Sequence, residues 1–401
     1  MTPETQKLPG ELLTVNTGSS SLKLAAYGNE PGLPRRLGIV VERIGLPDGR
    51  LSVTSSTGVT NEEIGASDHG AALRVALEHM DKRLAVTPAG VGHRIVHGGP
   101  THAQPQRISA GLMTELRSFQ EIDPGHMPQA LAAVEAITIR YPTVPQFACF
   151  DTAFHRSMGP IAQRYPLPRW TIDAGIRRYG FHGLSCEFIV SALARLDPRA
   201  ADGRLLIAHL GNGASITAVH RGASVDTTMG FSPCGGLMMG TRSGDLDPTI
   251  VTYLARIRTC TFEDLQRLVN EESGLLGVSD VSEDMRDVLG DAGSPHAAEA
   301  IELYCYIARK HVGALAAALD GVDTMVFAGG IGEHAAPIRE GICRGLGHLG
   351  VVIDPQRNAA DADVISTSGS RVTVRVMATD EDAVIASHVH RLLEDGPGDD
   401  N

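Results

Sequence analysis

The sequence lacks the cysteine and histidine patterns that hold a structural metal or a disulfide framework. Its 6 cysteines form no CxxC pair and no zinc-like spacing, and its 16 histidines contain no HExxH pair. The cysteines are Cys149, Cys186, Cys234, Cys260, Cys305 and Cys343. We therefore expect reduced thiols, and nothing in the sequence indicates a zinc hydrolase.

The chain also lacks an excess of positive charge, a secretory signal and a membrane-spanning run. Its formal charge is −12 and its pI is about 5.7, which is the opposite of a nucleic-acid-binding surface. The first residues contain no basic segment followed by an apolar one, and no apolar run is long enough to cross a bilayer. We expect a soluble, cytoplasmic protein of roughly two or three domains that binds neither nucleic acid nor membrane.

Among the features that are present, a glycine hairpin near the middle of the chain is the most informative. An apolar run at 205–208 leads into Gly211-Asn212-Gly213, and apolar and polar residues alternate over 214–218. This pattern predicts two strands joined by a tight turn. Glycines permit positive φ angles and expose backbone N–H groups, so the turn is either an ordinary hairpin or a phosphate-binding turn.

The same pattern occurs earlier in the chain. When Leu12 to Tyr27 is laid over the central hairpin, the leading leucine pairs coincide and Gly18 falls on Gly211. The G-x-x-x-x-G-K-[ST] spacing of a P-loop is absent from this segment. A second copy of one unit predicts an internally duplicated fold.

Three polar side chains occur where strands are predicted to end or helices to begin. Arg94 lies beside paired glycines and either faces a cleft or forms a salt bridge. Asp151 follows a buried strand and is either a metal ligand or base, or a helix N-cap. His182 lies in a glycine-rich and aromatic segment, where it either contacts a phosphoryl oxygen or caps the next helix.

Glycine-rich stretches in the second half of the chain suggest further binding elements. Residues 229–248 form a long loop whose single cation is Arg242, and long ordered loops of this kind are usually functional. Residues 330–335 are predicted as a glycine turn between a strand and a helix N-terminus, which suits a nucleotide. With Asp354 downstream, this stretch also matches the dinucleotide fingerprint, so a NAD-dependent dehydrogenase is an alternative.

Two acidic segments complete the candidates. Asp284 lies in a stretch, 274–293, that is predicted as a polar loop. Glu381 begins the last helix, where acidic residues usually interact with the helix dipole, and a metal ligand is the alternative.

Taken together, the order and spacing of these strings resemble the acetate kinase family, which belongs to the sugar kinase, Hsp70 and actin superfamily. The resemblance runs from about Leu12 to Ala386, through NTGSSSLK, GHRIVHGG, FDTAFH, RRYGFHG, HLGNGAS, GLMMGTRSGDLDP and GGIGE. It implies two duplicated RNase H-like (actin-like ATPase) α/β domains with a nucleotide cleft between them, and a homodimer. We place the domains at 1–150, joined by a C-terminal helix at about 383–401, and at 151–382.

The resemblance also implies roles for individual residues. The catalytic residues would be Asp151, Arg94, Arg242 and His182. Asn16 and Glu381 would hold Mg²⁺ or Mn²⁺. The ATP or ADP site would comprise Lys23, His209, Leu210, Gly211, Asn212, Gly213, Asp284, Met285, Arg286, Gly330, Ile331, Gly332, Glu333 and His334. The short-chain carboxylate would meet Arg94, Val96, Gly125, Phe181 and Pro233.

The implied reaction is reversible, magnesium-dependent phosphoryl transfer from ATP to acetate, giving acetyl phosphate and ADP. A carboxylate is already a nucleophile, so the enzyme needs charge neutralisation and positioning more than a strong base. Asp151 is then a magnesium or water organiser more than a proton acceptor. A nucleotide-driven binding module is a third hypothesis, but such a module needs no cluster of Arg94, Asp151, His182 and Arg242.

Several positions depart from the family pattern. Gly125 replaces a leucine, Met127 an asparagine and Cys186 a histidine. The leucine that Gly125 replaces helps to close the acyl pocket around a methyl group in the family. A preference for propionate or butyrate is therefore the alternative to acetate, unless Met127 fills the gap.

Overall fold

The computed structural model describes residues 10–18, 20–83 and 87–396, which form two compact units. Unit 1 comprises Met1–Ala153 and Asp380–Asn401, and unit 2 comprises Phe154–Thr379. Each unit contains one mixed β-sheet with helices packed on it, which confirms the predicted α/β class. Ser19 of the first glycine–serine turn and residues 397–401 of the predicted C-terminal helix lie outside the described residues.

The strands and helices are numbered in chain order. The strands are β1 (Glu11–Thr17), β2 (Ser21–Gly28), β3 (Arg35–Glu42), β4 (Arg50–Ser55), β5 (Gly58–Glu63), β6 (Gly90–Ile95), β7 (Gln106–Arg107), β8 (Gln146–Phe150), β9 (Arg204–Leu210), β10 (Ala214–His220), β11 (Ala223–Thr227), β12 (Thr324–Ala328) and β13 (Thr373–Val376). The helices are α1 (His69–Asp81), α2 (Ala110–Ser118), α3 (Met127–Arg140), α4 (Trp170–Asp173), α5 (Gly183–Leu196), α6 (Pro198–Asp202), α7 (Pro248–Arg258), α8 (Phe262–Glu271), α9 (Gly274–Ser279), α10 (Met285–Gly290), α11 (Pro295–Ala318), α12 (Gly329–His334), α13 (Ala336–Cys343), α14 (Pro355–Ala359) and α15 (Glu381–Glu394).

The two sheets share one strand order, which confirms the duplication. In unit 1 the order β3-β2-β1-β6-β8 lies within an eight-stranded sheet, and in unit 2 the whole sheet is β11-β10-β9-β12-β13. In both sheets the first three strands pair antiparallel, and the last two run parallel to the central strand. The hairpins β1–β2 and β9–β10 are thus the equivalent elements that the repeated sequence indicates.

The cores explain why these segments form strands. In β1, every residue after Glu11 is buried, and β8 and β12 are buried along their whole length. Strands covered on both faces carry continuous apolar runs instead of alternating ones. In unit 1 the apolar residues of β1 to β4 pack against α1 and α3 around one core.

The structure corrects the expected conformation of the central turn. None of Gly211, Asn212 and Gly213 has a positive φ. The glycine at 213 leaves room for two polar side chains, because a Cβ there would lie only 3.3 Å from His182 Nε2 and 3.4 Å from Arg242 Nη2. Close approach of polar side chains, and not left-handed backbone, accounts for this glycine.

Two other local expectations were wrong. Residues 274–293 contain α9 and α10, and Asp284 is the N-cap of α10, with its Oδ1 accepting the N–H of Arg286 at 2.8 Å. Residues 330–334 form no glycine turn, because they lie within the short helix α12. Asp354 caps α14 instead of ending a paired strand, so the dinucleotide fingerprint has no structural counterpart here.

The boundaries of unit 1 also differ from the domain boundaries predicted from the sequence. Unit 1 extends through Ala153, so Asp151 belongs to it and not to the second unit. The chain returns to unit 1 at Asp380, and α15 ends at Glu394. In the described part of the chain, no helix combines the length and the apolar character needed to cross a membrane.

Candidate active site

In unit 1, four polar residues assigned from the sequence meet at one edge of the sheet. Strands β1, β6 and β8 run parallel, so their carboxyl ends lie together. Asn16 is near the end of β1, Arg94 is near the end of β6, and Asp151 directly follows β8. Glu381, the first residue of α15, reaches the same place. The topology therefore collects side chains that lie far apart in the sequence.

The Arg94 guanidinium is the centre of this cluster. Its Nε lies 3.1 and 3.0 Å from the two carboxylate oxygens of Asp151, and its Nη2 lies 2.5 Å from Asp151 Oδ2. Nη1 donates to Asn16 Oδ1 at 3.2 Å, and Asn16 Nδ2 donates to Glu381 Oε2 at 2.9 Å. Arg94 thus forms a salt bridge, which is one of the two alternatives predicted from the sequence. The other alternative, that it faces a cleft, stays a prediction.

Burial controls the electrostatics of this cluster. The Asp151 carboxylate is fully buried, and burial raises its pKa, whereas the Arg94 charge opposes that shift. Burial also disfavours the charged guanidinium, but Asp151 and Glu381 outweigh this effect and raise the pKa of Arg94. Arg94 therefore stays charged, and the fork-to-carboxylate geometry is the kind that holds a buried carboxylate ionised.

The donor set at this edge suits a hard divalent cation. Asp151, Glu381 and the Asn16 amide supply only oxygen ligands, and Mg²⁺ typically takes one or two protein carboxylates together with substrate phosphates and water. Among the described residues no group of three or more His, Cys, Asp or Glu side chains forms a complete metal cage. The residues fit a metal that arrives with a nucleotide better than a permanent structural ion.

The acyl-pocket candidates of unit 1 flank this cluster. Val96 follows β6 and is buried. Gly125 lies in an exposed turn, where a Cβ would meet only Asp123 Oδ1 at 3.7 Å. Asp123 accepts a bond from His126 Nδ1 at 2.9 Å, and the charges of Asp123 and His126 act on Arg94 and Asp151 respectively. Open space at position 125 therefore lies in a turn close to the guanidinium.

Lys23 is the remaining candidate of unit 1. It lies on β2 directly across from Asn16 in the antiparallel register, and its side chain is exposed. Its charge acts on the buried carboxyl of Asp382, whose pKa is raised by burial.

In unit 2, the turn after β9 is surrounded by polar side chains from two other segments. His182 Nε2 and Arg242 Nη2 both face the Cα of Gly213. The other ring nitrogen of His182, Nδ1, bonds Ser215 Oγ at 3.0 Å, and Arg242 Nη1 donates to the Pro233 carbonyl at 2.8 Å. An imidazole and a guanidinium directed at one glycine turn form an arrangement that can bind an anion.

The rest of the turn is fixed by close packing. The rings of His182 and His209 lie 4.4 Å apart, with an interplanar angle of 38°. The Asn212 carbonyl accepts the N–H of Gly240 at 2.9 Å, and the Asn212 side chain occupies the space where a Cβ at 240 would stand. Leu210, which ends β9, is buried. The turn is thus held by the glycine-rich loop on which Arg242 lies.

The candidate adenosine residues lie next to this turn. Gly240 also approaches the Glu283 carbonyl, which precedes the Asp284-Met285-Arg286 segment. Arg286 pairs with both oxygens of Asp284 through Nε and Nη2 and is highly exposed, whereas Met285 is buried. Gly329 has a φ of 74° and lies against the Leu210 carbonyl, so α12 begins beside the end of β9.

The short helix α12 contains the other candidate nucleotide residues, Gly330, Ile331, Gly332, Glu333 and His334. Arg339, fully buried in α13, donates from Nη1 to the carbonyls of Gly332 and Glu333 at 2.9 and 2.8 Å. Its Nε and Nη2 bind the side chain and carbonyl of Asn358, and Nη2 also binds Asp361 at 2.5 Å. A buried cation thus holds the end of α12 in place.

Sequence reasoning did not identify Arg339, Ser215 or the buried His155 below Phe181. An arginine on a short helix has the sequence signature of an exposed residue, so no pattern reveals Arg339. Ser215 had a usable signal, because it alternates with apolar residues just after the glycine turn. Of the acyl-pocket candidates of unit 2, Phe181 directly precedes His182 in the chain, and the Pro233 carbonyl accepts a bond from Arg242 Nη1.

Comparisons with known proteins agree on one family. The model of the acetokinase family matches residues 11–387. The chain is 43% identical over 396 residues to an acetate kinase of Rhodopseudomonas palustris, covering 96% of this chain and 99% of that protein. It is 39% identical over 390 residues to a propionate kinase of Citrobacter rodentium, covering 95% of this chain and 96% of that protein. The crystal structure of Porphyromonas gingivalis acetate kinase is similar with a TM-score of 0.84 at 36% identity, covering 96% of this chain and all of that one.

Proposed function

The chain belongs to the acetokinase family, and we propose that it is an acetate kinase. It transfers the γ-phosphoryl group of ATP reversibly to acetate, giving acetyl phosphate and ADP. The observation that carries the proposal is the pair of directed arginine sites, Arg94 with Asp151 in unit 1 and Arg242 with His182 at the Gly213 turn in unit 2.

The reaction joins two anions, and each set of residues addresses one of them. An acetate oxygen forms a bond to the γ-phosphorus while the bond from that phosphorus to the bridging oxygen of ADP breaks, so no proton has to be removed from the nucleophile. Arg94 holds the acetate carboxylate, and Arg242 with His182 holds the transferring phosphoryl group. Positioning and neutralisation of spread charge are the main contributions that phosphoryl transfer requires of a protein.

Asp151 has a positioning role in this scheme. It binds Arg94 through both carboxylate oxygens, which fixes the plane of the guanidinium. It has a counter-ion at hydrogen-bond distance, so it serves as an organiser of charge more than as a base.

We further propose that Mg²⁺, or Mn²⁺ in its place, binds at Asn16, Glu381 and Asp151 together with ATP. The local charge supports this assignment, since one guanidinium faces the two carboxylates of Asp151 and Glu381. That excess of negative charge would repel acetate and the phosphates. A divalent cation held by Asn16, Glu381 and Asp151 would supply the missing positive charge and would neutralise phosphate oxygens.

A preference for propionate or butyrate is the second candidate. The observation that favours it is the open space beside Gly125, where a Cβ would meet nothing but Asp123 Oδ1 within 4 Å. Met127, which begins α3 and is fully buried, does not occupy that space. The relative in Citrobacter rodentium carries the name propionate kinase.

We also propose that the protein is a homodimer, as the resemblance to the family implies. Helix α7 supports this, because none of its residues is buried and Ile250, Tyr253 and Ile257 are exposed along one side. Sedimentation velocity of the wild type and of Tyr253→Glu tests the proposal. A wild type that sediments as a monomer at micromolar concentration contradicts it.

The function is tested by incubating purified protein with MgATP, hydroxylamine and acetate, propionate or butyrate. Hydroxylamine traps acyl phosphate as the hydroxamate, and we expect a product with acetate that disappears without divalent metal. Arg242→Ala is the matched control for contaminating kinases, because its product must fall with the same preparation. If no carboxylate of two to four carbons gives a hydroxamate, the proposal is wrong.

A further inference from the structure

One buried histidine of unit 2 has no place in the scheme above. His155 lies on a short 3₁₀ turn at Ala153–Ser157, and 1% of it is exposed. Its Nε2 lies 2.9 Å from the Phe181 carbonyl, and its Nδ1 lies 3.0 Å from Ser224 Oγ on β11. Burial lowers the pKa of His155 to about 4, so the ring is neutral, with one donor and one acceptor.

The two contacts fix the tautomer of the ring. A carbonyl oxygen can only accept, so Nε2 carries the hydrogen and donates it to Phe181. Nδ1 then accepts from the Ser224 hydroxyl. A neutral imidazole satisfies both neighbours at once, which explains why a titratable ring tolerates full burial.

The ring also packs on the backbone just before Phe181. Gly180 has a φ of 76°, and a Cβ there would lie 2.6 Å from His155 Cγ and 2.7 Å from Cδ2. Only a glycine can occupy this position, because both the positive φ and the contact exclude a side chain. His155 therefore contacts the segment 180–182 at two points. Its ring packs against Gly180, and its Nε2 binds the carbonyl that precedes His182.

The residue after Phe181 has a strained backbone. His182 has φ 59° and ψ 28°, in the left-handed region that non-glycine residues enter only at an energetic cost. The carbonyl that His155 binds belongs to the peptide plane joining Phe181 to His182. Holding that oxygen fixes the plane, and rotation of the plane is what would change φ of His182.

We propose that His155 is a positioning residue for phosphoryl transfer, which holds His182 in the left-handed conformation that directs its ring toward the Gly213 turn. This inference rests on the proposed function of the His182 site. His155 touches neither phosphate nor acetate, and acts through the Phe181–His182 peptide. The same bond fixes Phe181, so acyl selectivity depends on it as well.

The test compares two substitutions of His155 whose side-chain amides lie at different distances from the backbone. His155→Gln places its amide nitrogen near the position of Nε2 and keeps a donor for the Phe181 carbonyl, whereas His155→Asn has its amide near Nδ1 and loses that donor. We expect kcat to fall at least 10-fold in His155→Asn and less than 3-fold in His155→Gln, with the KM for ATP unchanged in both, as for loss of a positioning contact. Equal kcat in the two variants overturns the proposal.

Two controls distinguish the positioning role of His155 from a merely structural role. Leu205→Ala removes a fully buried side chain at the start of β9 and should lower Tm with kcat unchanged. In a His182→Ala background, His155→Asn should lower kcat no further, because both changes act through one side chain. If the loss from His155→Asn is the same with and without His182, the residue acts by another route.

Hydrogen exchange gives a readout that does not depend on activity. We expect faster amide exchange over 179–186 in His155→Asn than in His155→Gln or Leu205→Ala. Unchanged exchange in that segment contradicts the positioning role even if the enzyme is active. If the wild type makes no acyl phosphate but the variants differ in exchange as expected, the proposed function is refuted. The conformational role of His155 is then still established.

Discussion

At the scale of single residues, Arg94 and Arg242 have similar proposed roles but different surroundings. Arg94 neutralises a fully buried carboxylate, whereas Arg242 donates to a backbone carbonyl beside the Gly213 turn. The resemblance described from the sequence gives both arginines the same catalytic assignment and does not distinguish their surroundings. The structure predicts that their removal has different consequences for stability.

We expect Arg94→Ala and Arg242→Ala each to lower kcat by about 10²–10³-fold, the scale for loss of a preorganised charge stabiliser. Only Arg94→Ala leaves a buried carboxylate without its counter-ion, which costs about 3–5 kcal/mol. Steady-state kinetics and urea unfolding measure both quantities. An Arg94→Ala protein as stable as Arg242→Ala would show that Asp151 is not ionised in the fold, and normal turnover in either variant would refute its role.

The glycine at position 125 leads to a prediction about substrate size. Its neighbourhood is open, and its φ is not positive, so a leucine fits without backbone strain. Each buried methylene contributes about 0.8 kcal/mol, and one methylene changes kcat/KM by roughly 10–200-fold at most. We expect Gly125→Leu to lower kcat/KM for propionate and butyrate relative to acetate.

The measurement is kcat/KM for the three acids in wild type and Gly125→Leu. Met127→Leu is a matched control, because it changes a neighbouring buried side chain while keeping its approximate volume. Unchanged ratios in Gly125→Leu would mean that residue 125 does not line the acyl pocket.

At the scale of elements, the two copies of the duplicated sheet have diverged at equivalent positions. Near the ends of the parallel strands, unit 1 has Asn16 and Arg94, whereas the corresponding positions of unit 2 are His209 and Ala328. Unit 1 thus presents charged side chains at this edge, and unit 2 presents a glycine turn and a short glycine helix. Under the proposed function, the first copy would serve the carboxylate and the metal, and the second the phosphate chain.

This divergence also explains what the sequence could predict. Apolar runs followed by a glycine or a polar residue identify strand ends, so the two hairpins, Arg94 and Asp151 were assigned correctly to such positions. The left-handed turn expected at Gly211-Asn212-Gly213 was wrong, because glycine there serves close approach and not φ. Asp284 was placed in a loop because its helix, α10, has only six residues and almost no periodic signal.

The stability of helix α12 depends on a buried arginine from the next helix. Helix α12 is six residues long, too short to be stable alone, and Arg339 binds its last carbonyls. We expect Arg339→Met to leave these buried acceptors unsatisfied and to destabilise unit 2, at about 1–3 kcal/mol for each unsatisfied group. Because the end of α12 loosens, the KM for ATP should rise more than the KM for acetate.

Arg309→Met is a suitable control, since Arg309 also donates to helix-end carbonyls, those of Gly341 and Ile342, but not to α12. It should lower stability without a selective effect on ATP. Equal changes in both Michaelis constants in Arg339→Met would mean that α12 does not contact the nucleotide.

At the scale of the whole molecule, His93 in unit 1 and His155 in unit 2 are two buried histidines whose pKa burial lowers to about 4. His93 Nε2 lies 2.7 Å from Gln146 Oε1, and His155 Nε2 lies 2.9 Å from the Phe181 carbonyl. An unfolded histidine has a pKa of about 6.5. Below that pH the histidines bind protons in the unfolded chain but stay neutral in the folded chain. Their contribution to the free energy of unfolding is therefore complete above pH 6.5 and is lost as the pH falls toward 4.

Between pH 6.5 and 5 most carboxylates stay ionised, so this window isolates the histidines. We expect each of the two to reduce the free energy of unfolding by about 2 kcal/mol over that interval. His93→Gln and His155→Gln should each remove the contribution of one histidine to the pH dependence of the free energy of unfolding. The two contributions should add, since the residues share no partner. If the units unfold separately in urea, each variant should flatten the pH dependence of its own transition only. A double variant that is as pH-sensitive as the wild type would mean that neither ring is held neutral in the folded protein.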